Sequence, residues 1–278
     1  MKKSLVILFI LVNALEIKSQ DRLFTYTYQS GVLNKGQKEI EIWNTFHWGR
    51  DDYYRAFRHR IEYEVGLGKN VQTAFYLNIT SASSQVARPV TLGNVTIAEA
   101  ALVSSTGISF SNEWKIKLSD PVANTIGSGL YGEIGIAADE LELEAKILLD
   151  KKIGRTLSAL NIVGEIEFES EVENGEVEQE AEYAFEFDYG FSYNINNNWN
   201  VGFEVRNHNA VTEEDGWKYS ALFGGPGFSY VSERFWLNFT AMPQIAGLYH
   251  HNNSGLIDGK VLDDHEKLET RMIFSYVF

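Results

Sequence analysis

The sequence predicts an all-β protein, a transmembrane antiparallel up-and-down β-barrel of about 12 strands. The first observation behind this prediction is the way in which the chain ends. Residues 267–278 alternate between apolar and polar side chains, and the last apolar residue of the series is Phe278 itself. A period of two over this length indicates a strand with one apolar face. The last strand of a membrane barrel pairs with the first and leaves no edge, so an apolar strand can end such a chain.

The second observation is that alternating segments, separated by turn residues, run through the rest of the chain, as expected of a membrane barrel. Beyond residue 20 no segment is apolar enough to span a membrane as a helix. We predict strands at residues 38–48, 54–67, 71–81, 107–118, 127–138, 141–150, 156–171, 177–194, 199–208, 217–231, 234–248 and 267–278. Ten or fourteen strands would also fit the pattern. A soluble β-sandwich would explain the alternation but not the terminal Phe.

The predicted connections differ in length between the two ends of the barrel. Two of them, residues 82–106 and 249–266, are long and are interpreted as extracellular loops, while the connections at the other end are short, as periplasmic turns are. An even number of strands places both termini in the periplasm. The Gly-Gly-Pro-Gly sequence at residues 224–227 interrupts the tenth strand and predicts a bulge or kink.

Residues 1–20 have the features of a secretory signal peptide, and residues 21–278 form the predicted barrel domain. Lys2 and Lys3 precede a short apolar run, and small or polar residues follow it. We therefore expect export through the general secretory pathway and, since the chain has no Cys, neither disulfides nor a lipoprotein anchor. The formal net charge is −14, of which the first 20 residues contribute +2, so residues 21–278 carry about −16. This charge argues against a nucleic-acid partner, which requires clustered Lys and Arg.

The parity of the charged residues predicts which side chains line the lumen. A basic residue on the lipid face at the bilayer midplane costs roughly 2–4 kcal/mol, so the charged parity is assigned to the interior. An Asn-Gly turn at residues 174–175 joins two strands that each carry a row of acidic residues, which should form one wall. The predicted pore-lining residues are Arg58, Arg60, Glu62, Glu165, Glu167, Glu182, Glu186 and Asp188.

The second strand lies opposite the eighth in a twelve-stranded barrel, so Arg58 and Arg60 are expected to face the acidic wall. Two interpretations follow. Ion pairs across the lumen could close the interior, or a wet lumen could act as a cation-favouring pore. Twelve strands lie between the filled eight-stranded and the open sixteen-stranded barrels, so size does not decide between them. Residues 169–178 could also be no more than a solvated hairpin.

Histidines, which could contribute to catalysis or metal binding, are scarce in this chain. His47 or His59 could contribute to a lipid-modifying hydrolase at the rim, but no Gly-x-Ser-x-Gly motif or other spacing singles out a nucleophile. The last long loop carries His250, His251 and His265 among aspartates, without the spacing of a known metal motif. We predict no enzyme activity, no metal site and no cofactor.

Both ends of the chain and one hairpin resemble known proteins. Phe274, Tyr276 and Phe278 resemble the C-terminal assembly signal of Gram-negative outer-membrane barrels. Residues 24–28 (FTYTY), 33–36 (LNKG) and 39–43 (EIEIW) resemble the opening of a family of uncharacterised outer-membrane proteins, in which Pro stands at the position of Asn34. Residues 60–67 and 72–78 resemble the next hairpin of that family. The resemblance implies an outer-membrane barrel of the porin or transporter type and no catalytic residue.

These observations favour a passive channel of the outer membrane for small cationic or polar solutes. The expected partners are outer-membrane lipids, the barrel-assembly machinery and a small polar or cationic solute. A closed barrel that binds a ligand or partner through its long loops is the first alternative, and the rim hydrolase is the second.

Overall fold

A computed structural model describes residues 22–250, apart from 93–94, 174–175 and 214–215, and residues 256–278. The predicted signal peptide at residues 1–20 lies outside these ranges. The described strands are β1 (Lys38–Trp48), β2 (Tyr54–Gly68), β3 (Val71–Leu92), β4 (Val95–Ser119), β5 (Gly127–Ile136), β6 (Glu140–Ile153), β7 (Thr156–Glu173), β8 (Glu176–Asn194), β9 (Trp199–Thr212), β10 (Gly216–Val231), β11 (Phe235–Tyr249) and β12 (Leu268–Val277). No helix among the described residues is long and apolar enough to cross a membrane.

The twelve strands form a closed antiparallel barrel, which confirms the predicted fold class. Each strand pairs with its neighbours in the chain, and β1 closes the barrel against β12 in a register that runs from Glu39↔Val277 to Trp48↔Leu268. Within the closed part of the barrel every strand has a partner on both sides, so no edge there is left with unpaired backbone groups. We call the end of the barrel at which β1 begins and β12 ends the terminal end, and the opposite end the loop end.

The prediction of a long loop at residues 82–106 is wrong. β3 and β4 stay paired through this stretch, from Ser81↔Thr106 to Leu92↔Val95, and from Gln85↔Leu102 onward they form a two-stranded ladder beyond both neighbouring strands. We call residues 82–106 the β3–β4 arm. Its described side chains are mostly exposed, with small and polar residues on both faces, so it lacks the apolar face by which a membrane strand is recognised. The other ten predicted strands differ from the structure by a few residues at their ends.

The outer surface carries an apolar band, and the charged side chains point inward. On β2, Ile61 is 43% exposed whereas its neighbour Glu62 is 0% exposed. The same alternation gives an outward aromatic row on β8 and an inward acidic row. Exposed residues of the band include Phe75, Phe110, Leu130, Ile147, Phe187, Phe203 and Phe274. An apolar belt around a polar interior is the arrangement that a lipid bilayer requires.

Two segments outside the strands lie within the barrel. We call residues 22–33 the inner segment and residues 256–267 the inward loop. Tyr26 of the inner segment and Val261 of the inward loop belong to one buried cluster with Phe223 and Met242. The two segments therefore meet in the interior, one having entered from each end.

β10 is irregular where the glycines were expected to disturb it. Its register against β11 shifts between Leu222 and Phe223, and the paired residues resume at Gly227↔Thr240. A Cβ atom on Gly225 would lie only 1.8 Å from the carbonyl oxygen of Ala241 on β11. The two backbones are thus in close contact, which only glycine permits.

We expect Gly225→Ala to lower the thermal unfolding midpoint of the barrel, because overpacking costs about 1–3 kcal/mol even where side chains can yield. At Gly225 the added methyl group would meet backbone atoms of β11, which cannot move aside as a side chain can. Gly164→Ala is the matched control, since nothing lies within 4 Å of a Cβ atom at that position. Unfolding can be followed by the heat-dependent mobility of the refolded barrel on gels. Equal midpoints for the two variants would contradict the close contact.

Candidate functional site

The inner segment is held by side chains of the barrel wall, and Glu204 of β9 holds its first part. The two carboxylate oxygens of Glu204 accept hydrogen bonds from the backbone N–H groups of Thr25, Tyr26 and Thr27, each at 2.8 Å. One of them also accepts hydrogen bonds from the hydroxyl groups of Thr25, at 3.0 Å, and Thr240, at 2.7 Å. Glu204 is buried. A buried carboxylate is tolerable here because donors surround it.

Side chains of three further strands form hydrogen bonds with the rest of the inner segment. Asn161 of β7 accepts the N–H of Tyr28 at 2.6 Å and donates its amide to the carbonyl of the same residue at 2.9 Å. Asp150 of β6 accepts the N–H of Ser30 at 3.0 Å and its hydroxyl at 2.7 Å. Finally, the N–H of Leu33 donates to Gln72 of β3 at 2.9 Å. The segment thus crosses the lumen from β9 to β3 and finds its hydrogen-bond partners in wall side chains.

Cationic side chains from the segment and from the wall lie over its aromatic rings. The guanidinium of Arg22 is 4.1 Å from the ring centroid of Tyr28. Lys146 of β6 lies 4.5 Å from the same ring, and Arg271 of β12 lies 3.9 Å from the ring of Tyr26. Each such contact contributes about 0.5–2 kcal/mol, more where water is excluded. Together with the hydrogen bonds they hold the inner segment in the lumen at the terminal end.

The inward loop is held in a similar way at the loop end. Gln244 of β11 accepts the N–H of Val261 at 2.7 Å and donates its amide to the carbonyl of Val261 at 3.1 Å. Glu266 hydrogen-bonds to His47 of β1, and both are buried. Burial alone would raise the pKa of Glu266, but the hydrogen bond and the charge of His47 outweigh it and lower this pKa to about 2.

His265 of the inward loop packs among aromatic rings. Its ring centroid lies 5.3 Å from that of Tyr219, 5.4 Å from that of Phe223 and 4.7 Å from that of His208. Burial, and then repulsion by His208 and Arg206, lowers the pKa of His265 well below its usual value. The docked loop therefore requires a neutral imidazole.

The remaining part of the lumen is lined by carboxylates and opens toward the loop end. Along the inward face of β7, Asn161 and Val163 are buried, whereas Glu165 and Glu167 are partly exposed. Along β8, exposure likewise increases from buried Asp188 to exposed Glu182. We call this space the acidic vestibule and define it by Glu140, Glu142, Glu144, Glu165, Glu167 and Glu182.

The acidic residues of the vestibule lie beside one another on neighbouring strands. The β6–β7 register pairs Glu142 with Glu167 and Glu144 with Glu165, and like charges directly opposite repel one another. Lys146 offsets part of this charge, with its ammonium nitrogen 3.0 Å from a carboxylate oxygen of Glu144. The vestibule accordingly brings several carboxyl groups close together in a part of the lumen whose side chains are partly exposed to solvent.

The structure separates the predicted pore-lining residues into three groups. Glu165, Glu167 and Glu182 share the vestibule wall. Glu186 lies deeper and pairs with Arg206 of β9 at 2.5 Å and with His208, while Asp188 and Glu62 are buried. Arg60 donates to Asn78 at 2.7 Å and lies 3.8 Å from Glu133 of β5, and Arg58 is exposed.

The structure also describes the predicted C-terminal assembly signal and the two histidines that were considered for a hydrolase. Phe274, Tyr276 and Phe278 lie on the outer surface. Of the two histidines considered for a rim hydrolase, His47 is buried against Glu266 and His59 is 3.0 Å from the side-chain oxygen of Asn44.

Sequence reasoning missed the residues that hold the two inserted segments, and also the acidic row of β6. The β6 row is visible as Glu-Leu-Glu-Leu-Glu at residues 140–144. Arg206 shares the inward parity of Glu204 and could have been found in the same way. Nothing local marks Glu204, Asn161 or Gln244 as partners of a segment within the barrel.

We expect acidification from pH 7 to pH 5 to loosen the inward loop. The undocked His265 binds a proton below about pH 6.5, whereas the docked residue does not, so the free energy of docking weakens as the pH falls through this range. Glu266, with its pKa near 2, keeps its charge throughout. His265→Phe removes the titrating group and should largely abolish the effect.

The loop can be observed by a nitroxide label on Lys260→Cys, since the chain has no other Cys. Label mobility should rise with acid in the parent protein and change little in the His265→Phe background. An equal rise in both would show that another group controls the loop.

Comparisons with known proteins agree with the barrel fold. The COG4313 outer membrane channel from Pseudomonas putida F1 is similar with a TM-score of 0.59 and 8% identity, over 92% of this chain and 100% of that chain. A NanC porin gives a TM-score of 0.48 and 9% identity, over 85% of this chain and 98% of that chain. At such identities a likeness shows the fold alone. No curated protein matches the sequence.

The family comparison covers nearly the whole chain. The profile of the "Family of unknown function (DUF6662)" matches residues 16–278. Together with the barrel fold, this match confirms the predicted relation to an uncharacterised family of outer-membrane barrels. The chain belongs to the DUF6662 family.

Proposed function

We propose that this protein is an outer-membrane channel for small cationic or polar solutes, which enter through the acidic vestibule. The observation that carries the proposal is the gradient of exposure along the inward faces of β7 and β8, from buried residues to hydrated carboxylates. A cleft lined by charges of one sign concentrates counter-ions and raises their rate of entry. Rings of carboxylates favour cations in pores.

Passage through the barrel requires the inner segment to leave its position. The segment closes the terminal end, but it is held by hydrogen bonds to wall side chains rather than by the strand ladder. Each hydrogen bond contributes about 0.5–1.5 kcal/mol net, or about 1.5–3 kcal/mol where a carboxylate accepts it, because water replaces it when the segment leaves. The proposed conducting state is one in which the segment has moved and the acidic wall of β6–β8 lines a continuous path.

The proposal includes a location and partners. The exposed apolar band would contact outer-membrane lipids. The barrel-assembly machinery would recognise the exposed Phe274, Tyr276 and Phe278. Both termini would lie in the periplasm, which makes the loop end, with the β3–β4 arm and the vestibule, extracellular.

A second candidate is a closed barrel that binds a cationic ligand in the vestibule. The observation that favours it is that Tyr26 of the inner segment and Val261 of the inward loop belong to one buried cluster in the interior. A permanently closed barrel would leave the vestibule as a blind pocket. The two candidates differ in whether the inner segment moves.

A reversible disulfide can decide whether movement of the inner segment opens the barrel. A Cβ atom on Gly129 would lie 3.5 Å from the Cα of Ser30, so Ser30→Cys with Gly129→Cys should crosslink the segment to β5. In a planar lipid bilayer we expect residues 21–278 of this double variant to be silent when oxidised and to conduct after reduction. Ser30→Cys alone is the control and should conduct in both conditions.

Conduction by the oxidised double variant would show that the segment is not the gate. Silence of every form, from protein shown to be folded, would reject the channel and favour the closed barrel.

The vestibule acids are expected to set cation preference. Changing Glu165, Glu167 and Glu182 together to Gln removes three charges, so the reversal potential under a salt gradient should shift toward the value of an unselective pore. Glu99→Gln, on the exposed β3–β4 arm, removes one charge outside the vestibule and should leave the reversal potential unchanged. Selectivity that survives the triple change would place the filter elsewhere.

A further inference from the structure

Five glutamates of the terminal half of the barrel lie side by side on β1, β2 and β4. Glu39 pairs directly with Glu64, and Glu41 with Glu62, across the β1–β2 ladder. Glu113 of β4 is opposite Ala74 of β3, which is itself opposite Glu64. All five carboxylates are buried. Directly opposed like charges without water destabilise a sheet, so this cluster needs compensation.

Four of the five have hydrogen-bond donors. The indole N–H of Trp236 donates to Glu39 at 2.5 Å, and that of Trp43 donates to Glu41 at 2.6 Å. The side-chain amide of Gln72 lies 3.1 Å from an oxygen of Glu64 and 3.5 Å from one of Glu113. Glu113 also accepts the hydroxyl of Tyr76.

Glu62 differs from the others. It is 0% exposed, and among the described residues neither of its carboxylate oxygens has a hydrogen-bond partner. A buried charged group without a hydrogen-bond partner loses its hydration and gains no interaction in exchange, which destabilises the folded protein. One oxygen each of Glu62, Glu64 and Glu113 lie within 4.8 Å of one another. The unpartnered oxygens thus belong to a site formed by three carboxylates.

We propose that Glu62, Glu64 and Glu113 bind a divalent metal ion, with Ca²⁺ preferred. Ca²⁺ takes oxygen ligands at about 2.3–2.6 Å, so three oxygens that all lie within 4.8 Å of one another can bind the same ion. Mg²⁺ keeps several waters. The neighbouring cavity, lined by Glu39, Glu41 and Glu64 together with Arg22 and Lys115, has a volume of about 10 Å³, room for about one water. Few waters can therefore reach the three carboxylates, which favours Ca²⁺ with bidentate carboxylate ligands over Mg²⁺.

The site is connected to the inner segment through Gln72. The amide nitrogen of Gln72 faces Glu64 and Glu113, and its oxygen accepts the N–H of Leu33. A bound ion would fix the two carboxylates and, through them, the orientation of this amide. The inference departs from the prediction of no metal site, which rested on sequence spacing; here the ligands come from strands that meet only in the barrel.

The test is to refold residues 21–278 in detergent with CaCl2, with MgCl2 or with a chelator, because the buried site must be loaded as the barrel forms. We expect CaCl2 to raise the thermal unfolding midpoint more than MgCl2 does. Tb³⁺ loaded in the same way should emit through energy transfer from nearby aromatic residues, since Tyr76 contacts Glu113.

Glu62→Gln should weaken Ca²⁺ binding by at least about tenfold and abolish the Ca²⁺-dependent rise, while the chelated variant stays at least as stable as the parent, since a like charge is gone. Glu113→Gln should have the same effect on binding. Glu142→Gln, in the acidic vestibule, is the control and should keep both signals. No binding and no rise in the parent would overturn the proposal and show that protons and the neighbouring cations Arg22 and Lys115 offset the cluster without an ion. Binding that persists in Glu62→Gln and is lost in Glu142→Gln would place the ion in the vestibule and overturn the proposal.

Discussion

The interior of this barrel depends on one constraint, which is that a chain segment away from water must have its backbone groups hydrogen-bonded. The inner segment forms no ladder with the strands, so the wall supplies its partners. Glu204 receives three consecutive N–H groups, and Asn161 pairs with both backbone groups of Tyr28. Gln244 likewise forms hydrogen bonds with both backbone groups of Val261 in the inward loop. These buried polar residues explain how irregular backbone can fill a lumen that would otherwise hold water.

The fold could be predicted almost completely because its main determinant is local. A strand with lipid on one side and a polar interior on the other must alternate, and each turn marks a strand end. The β3–β4 arm was missed for the same reason. Its ladder stands in water and imposes no difference between the two faces, so the sequence of residues 82–106 carries no signal of period two. Closure also had a local signature, in the apolar β12 that pairs with β1.

The candidate site was predictable only in part. Parity placed Glu165, Glu167 and Glu182 on one inward wall, because alternation alone decides the face. It could not identify partners, which depend on contacts between distant parts of the chain. Glu204 binds Thr25 from 179 residues away. Likewise, Glu186 is neutralised by Arg206 on the adjacent strand rather than by Arg58 or Arg60 across the lumen. Once a segment fills the lumen, the diameter of the barrel no longer determines which charges meet.

Exposure to water determines what the carboxylates of the two inward clusters can do. In the vestibule, Glu167 and Glu182 keep part of their hydration, so they tolerate neighbours of like charge and can attract mobile cations. In the cluster of β1, β2 and β4, Glu62 has lost its hydration, and the repulsion must be met by donors, protons or an ion that stays in place. The acids open to solvent are therefore suited to selecting a solute. The buried acids are suited to holding the barrel and its inner segment together, and a cation bound there would be structural rather than transported.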